Sequence, residues 1–158
     1  MKRFCEALRG EALVYTSPPS FGPTEGNLEA AERFFSGVER GRFSMVWETR
    51  GKAWNTPKAR SALRRILRET DVTHSADLSY QEPAHTNQLV YSRIFGPARE
   101  VIRRGQYSIG DSQIGRTIEM AGRYLGQKKR LMISFHSVRM YEDAARMIRR
   151  TQSPRAGS

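Results

Sequence analysis

Phe43, Met45 and Trp47 alternate with Ser44, Val46 and Glu48, a period of two that predicts a half-buried strand. Leu131, Ile133 and Phe135 repeat the pattern near the other end of the chain. Residues 12–16 (ALVYT) and 89–95 (LVYSRIF) are further strand candidates. Between these runs the apolar spacing changes to that of helices. Leu28, Ala31, Phe35 and Val38 share one face of a helix that Asn27 can cap and that runs to about residue 40, where Gly41 stops it. Thr56 caps a second helix whose first position is Pro57, where a missing N–H costs nothing. Its stripe is Ala59, Ala62, Leu63, Ile66 and Leu67, the i, i+3, i+4, i+7, i+8 set that faces a core.

The remaining segments read more loosely. Phe4, Cys5 and Leu8 suggest a short first helix, and Pro97 opens another (AREVIRR) that Gly105 ends. Asp111 or Ser112 caps a helix with Ile114, Ile118, Ala121 and Leu125 on one side, while Gly115 and Gly122 leave a small-residue groove on it. A last helix is expected to turn Tyr141, Ala144, Ala145 and Ile148 inward. The Pro/Gly-rich run 17–26 and the polar stretch 71–87 read as loops, and 152–158 as a tail. The mixed order predicts an α/β or α+β fold: one domain over 1–151, a small mixed sheet covered by about five helices.

Composition narrows the class. No apolar run among the 158 residues approaches the roughly 20 needed to cross a bilayer. The N-terminal MKRFCEALRG lacks the apolar core and cleavage site of a secretory signal. The single Cys5 cannot form an internal disulfide. The expectation is an intracellular protein (cytoplasm, nucleus or virion interior) with no membrane contact and no cofactor.

Charge changes the picture most. Net charge is +11, and 22 of the 27 cations are Arg, whose planar fork suits phosphate. Residues 1–49 hold six cations and seven acids, residues 50–100 nine and five, and residues 101–158 twelve and four. Between Glu48 and Glu69 no carboxylate occurs in twenty residues that carry Arg50, Lys52, Lys58, Arg60, Arg64, Arg65 and Arg68. Arg60, Arg64 and Arg68 form a ridge on the second helix, with neighbours on the order of 6 Å apart. Trp54, between Lys52 and Lys58, is a candidate for stacking on an unpaired base.

Lys128, Lys129 and Arg130 make a second basic cluster, leading into the strand LMISFHS and the helix YEDAARMIRR. Over about twenty residues this is loosely similar to the third strand and second helix of an RNA-recognition motif. Leu131 and Ile133 stand where that module has stacking aromatics, so the stretch is read as a generic βα unit with basic flanks. The expected function is non-catalytic nucleic-acid binding within a larger assembly, RNA ahead of DNA, through the phosphate backbone.

Two other readings come from the same residues. One is a protein-binding inhibitor or shell subunit that docks on an acidic partner or assembles as a homo-oligomer. The other is a small nuclease using His74, His85 or His136. His74 and His85 with Asp77 and Glu82 could also ligate a transition metal, although their spacing matches no zinc pattern and no cysteine assists. Phosphate-binding loops, dinucleotide fingerprints, nucleophile elbows and HExxH are all missing from the chain.

Overall fold

A computed structural model describes residues 6–7, 9–95 and 108–152. The helices expected around Phe4–Leu8 and after Pro97, with Arg103 and Arg104, lie outside the described residues, as does most of the 152–158 tail. The fold is mixed α/β with two small parallel sheets. Contacts gather the chain into two compact units: 1–75 with 83–91, and 76–82 with 92–158.

The first unit is a βαβαβ run: β1 (Ala12–Thr16), α1 (Glu25–Gly37), β2 (Ser44–Glu48), α2 (Pro57–Glu69) and β3 (Thr73–His74). β2 lies between β1 and β3 and pairs with both in parallel, Val14 opposite Val46 and Trp47 opposite His74. Parallel neighbours need a crossover of a dozen residues or more, which α1 and α2 supply. A strand inside such a sheet is covered on both faces. Met45, Val46, Trp47 and Glu48 are accordingly all buried, so β2 does not alternate as its pattern suggests.

Local signals place α2 well. Thr56 Oγ1 accepts from the Ala59 N–H at 3.3 Å, and Pro57 opens the helix. Leu63, Ile66 and Leu67 are 0 % exposed. For α1 the cap is Thr24 rather than Asn27; its hydroxyl accepts from the Asn27 N–H, and extended Val38 ends the helix before Arg40. The core joins Phe35, Met45, Trp47, Trp54, Leu63, Leu67 and Val72, with Trp47 and Trp54 edge-to-face at 5.4 Å. Gly51 has φ 108, and a Cβ there would stand 3.3 Å from the Pro19 carbonyl oxygen. Glycine is what lets the 17–21 loop close over this corner.

The stretch 71–87 is no surface loop. Val72, Thr73, His74, Ser75, Ala76, Leu78, Ser79 and Ala84 are buried. Its polar groups are satisfied internally: Thr73 Oγ1 lies 2.8 Å from both Asn87 Oδ1 and the Leu89 carbonyl, and Asp77 accepts from the Ser79 N–H.

The second unit holds α3 (Asp111–Gly126), β5 (Arg130–Phe135) and α4 (Met140–Gln152); β4 (Leu89–Ile94), which begins in the first unit, pairs with β5. Gly110, not Asp111 or Ser112, is the N-cap of α3, and its N–H donates to Gln113 Oε1. Ile114, Thr117, Met120 and Ala121 face inward, while Leu125 is exposed. A Cβ on Gly115 or Gly122 would meet nothing within 4 Å. On α4 the inward residues are Asp143 and Met147; the expected stripe through Tyr141 and Ile148 points out instead.

Asp143 explains that rotation. Its carboxylate is fully buried and accepts from the Ser108 hydroxyl (2.6 Å), the Ser137 hydroxyl (2.5 Å) and the Ile109 N–H (2.9 Å), with Arg146 at 3.3 Å. Burial pushes its pKa up, but these hydrogen bonds and the Arg146 charge outweigh it and hold the carboxyl below its usual range. The stabilisation is therefore present at neutral pH and lost as pH falls below the usual carboxylate range. Asp143→Asn presents an N–H₂ where acceptors are needed, and should cost about 2–3 kcal/mol in urea denaturation.

Candidate nucleic-acid interface

The structure divides the predicted basic residues into three sets. Lys52, on a 3₁₀ turn (Lys52–Asn55), and Lys58 and Arg68, on α2, are exposed with no carboxylate in ion-pair range among the described residues. Arg64 is exposed on the same helix and uses only its Nε, which donates to the Ala84 carbonyl at 3.0 Å. Arg60 is half-buried one turn earlier on the same helix.

Arg65 and Arg50 are compensated. Arg65 donates to Glu69 at 2.8 Å and to Glu32 of α1 at 3.1 Å, and that pairing raises its pKa. Arg50 Nε donates to the buried Glu48 carboxylate at 2.8 Å. Trp54 corrects the expectation outright. It is 3 % exposed, its ring packs on Trp47, and its indole N–H donates to the Phe21 carbonyl at 3.0 Å. A ring enclosed in this way offers no face to a base.

Lys128, Lys129 and Arg130 belong to the second unit, the α2 set to the first. Lys128 turns the chain with φ 59, and Lys129 Nζ stands 5.9 Å above the Tyr124 ring. The α2 ridge thus stands as a surface within its own unit.

Ligands in parallel α/β sheets gather at the carboxyl ends of strands, and both sheets carry polar groups there. At the ends of β2 and β3, His74 Nδ1 accepts from the Ala84 N–H at 3.0 Å, and its Nε2 lies 3.2 Å from Thr49 Oγ1. A backbone N–H can only donate, so the neutral ring carries its proton on Nε2 and gives it to Thr49. A histidine in that tautomer cannot serve as base for the threonine. Burial, and secondarily the positive charge of Arg60, lowers its pKa to about 3.

At the ends of β4 and β5, Arg93 Nε donates to His136 Nε2 at 3.1 Å, and the imidazole stacks on Phe95 at 4.9 Å. The Arg93 guanidinium lies 5.0 Å above the same Phe95 ring. Sequence reasoning named His136 but not its partners Arg93 and Phe95; their signal was a polar residue near the end of each of two strands, SRIF and SFHS. The four residues considered for a metal fall two to each unit, His74 and His85 in the first, Asp77 and Glu82 in the second. Among the described residues no group of three or more His, Cys, Asp or Glu is gathered for a metal ion. No described helix is long and apolar enough to cross a membrane.

A mixed fold of parallel βα units with basic helices on its surface is the class these features define. Its likeness to solved structures is to a DUF72 family protein from Enterococcus faecalis V583. One crystal structure of that protein matches with a TM-score of 0.70 at 15 % identity, covering 98 % of this chain and 66 % of that one. A second matches with a TM-score of 0.66 at 17 % identity, covering 96 % and 61 %. At this identity the likeness shows the fold alone, and the chain spans less than two thirds of that protein's length. No family model and no curated protein matches the chain.

Proposed function

We propose that this protein binds nucleic acid, RNA ahead of DNA, through phosphate contacts made by Lys52, Lys58, Arg60, Arg64 and Arg68, without catalysing a reaction on it. The observation that carries the reading is the two-sidedness of α2. Leu63, Ile66 and Leu67 are fully buried, so the helix cannot roll, while Lys58, Arg64 and Arg68 stand exposed on its other side. Like charges four apart cost a few tenths of a kcal/mol each in an isolated helix. A polyanion spanning the ridge would offset that cost through counterion release. Arg50 and Arg65 drop out of the contact set because carboxylates neutralise them, and Trp54 because its ring is enclosed in the core. An intracellular location and a larger ribonucleoprotein-type assembly accompany this reading.

Fluorescence anisotropy with labelled single- and double-stranded RNA and DNA tests it. Five phosphate contacts give a slope of log K against log salt of about −3.5 on single strands and about −4.5 on duplexes. Lys58→Glu/Arg64→Glu/Arg68→Glu should weaken binding by about 100-fold and flatten the slope by two or more. Absence of binding at about 50 mM salt would sink the proposal, and the ridge would be reassigned to an acidic protein surface.

A further inference from the structure

The outer edge of β1 carries an inference separate from the α2 ridge. The Ser44 N–H donates to the Glu11 carbonyl at 3.0 Å, and the Ser17 N–H to the Glu48 carbonyl at 3.1 Å. Glu11, Leu13, Tyr15 and Ser17 thus turn their backbone groups toward β2. Backbone direction alternates along a strand, so Ala12, Val14 and Thr16 turn theirs the other way. Among the described residues no strand and no hydrogen bond reaches that side of β1. Exposed edges are usually blunted by a bulge, a proline or a charged side chain. Here the pairing with β2 runs unbroken from Ala12 to Thr16, and ALVYT holds neither proline nor charge. Apolar groups stand on both faces of the sheet beside this edge. Val14, 36 % exposed, is on one; on the other Phe34, 46 % exposed, meets Tyr15 edge-on at 5.2 Å. A hollow of about 200 Å³ opens there among Tyr15, Phe21, Ala30 and Phe34.

A row of outward N–H and C=O groups selects another strand as occupant, and the symmetry of this row selects the same strand. We infer that β1 pairs antiparallel with β1 of a second copy, about a two-fold axis through Val14. In that register Ala12 faces Thr16 of the second copy and Val14 faces Val14, each pair exchanging both of its N–H···O=C bonds. Leu13 falls opposite Tyr15, an apolar cross-strand pair on the α1 side. Glu11, the charge next to the strand, falls opposite Ser17 rather than its own copy, so no like charges meet. The same patch serves both copies, and the contact closes as a dimer. The chain's net +11 does not oppose it, because residues 1–49 hold six cations and seven acids.

Sedimentation velocity on the full chain, freed of nucleic acid, should show monomer and dimer in exchange with a Kd on the order of 10 µM. Val14→Pro should abolish the dimer: its ring blocks the outward edge, while the N–H it removes makes no bond to β2. Val14→Lys and Val14→Glu, at a position already exposed, should each weaken dimerisation about tenfold, since the axis sets like charges directly opposite. Mixing these two variants should restore a dimer containing one copy of each. Circular dichroism and thermal melts would verify that the variants compared are folded. A dimer indifferent to Val14→Lys, or a Lys/Glu mixture that fails to reassociate, would overturn the proposal. So would a chain that stays monomeric to about 500 µM, which would pass the edge to a strand of another protein.

Discussion

Between pH 6.5 and pH 4 the protein is expected to lose on the order of 3 kcal/mol of stability through His74 alone. The folded ring has its pKa at about 3, whereas an unfolded chain takes up the proton near 6.5. A group depressed on folding stabilises fully above its unfolded pKa, and that contribution drains away as pH falls toward the folded value. Physically, a protonated ring would need a donor on Nδ1, where the Ala84 N–H already points at it from 3.0 Å. His74→Asn keeps an acceptor for that N–H and removes the titration. It should cost about 2 kcal/mol at pH 7 through the lost Thr49 contact and poorer packing. Its urea midpoints between pH 4 and 6.5 should then run nearly flat while the parent's fall. Parallel profiles for the two proteins would refute the assignment. Asp143, whose carboxyl is held below its usual range, adds to the fall only at the acid edge of this window.

Trp54→Ala should be the most damaging single substitution, at about 3–5 kcal/mol. The truncation removes the edge contact to Trp47 and leaves the Phe21 carbonyl without its indole donor. Trp54→Phe keeps an aromatic ring and loses mainly that hydrogen bond, for about 1–2 kcal/mol. The pair also separates core from ligand. If Trp54 stacked on a base, Phe would retain some affinity and Ala would lose it at equal folded fraction. The enclosed ring predicts instead that Trp54→Phe leaves nucleic-acid affinity unchanged, measured by anisotropy under conditions where thermal melts show it fully folded.

Much of the first unit was legible because its signals are local. ALVYT, the Thr56–Pro57 start and the stripe from Ala59 to Leu67 are each decided within one turn or one strand. The polar stretch 71–87 was not, since its burial depends on partners sixteen or more residues away, such as Thr73 with Leu89 and Asp77 with Phe95. Composition counts those side chains as polar whether or not they satisfy one another. The basic ridge was legible as a run of charges, but its depletion at Arg65 was hidden, because Glu32 approaches from another helix. Trp54 misled for a related reason. Its neighbours Lys52 and Lys58 suggest surface, while a 3₁₀ turn directs the ring into the core. The α4 stripe was read correctly as apolar and placed wrongly, since a buried aspartate anchored by two serines turned the helix.

The route of the chain between its two units has a consequence for anyone who would divide the protein. The boundary is crossed at 75–76, again at 82–83 and again at 91–92. No single cut separates the units: a stop after Tyr91 leaves the first carrying seven residues that belong to the second, with Leu78 and Ser79 stripped of their burial. A fragment that begins at Ser92 lacks those residues altogether. Fragments ending at Tyr91 or beginning at Ser92 should therefore each fold less stably than the same residues do in the full chain, as circular dichroism would show.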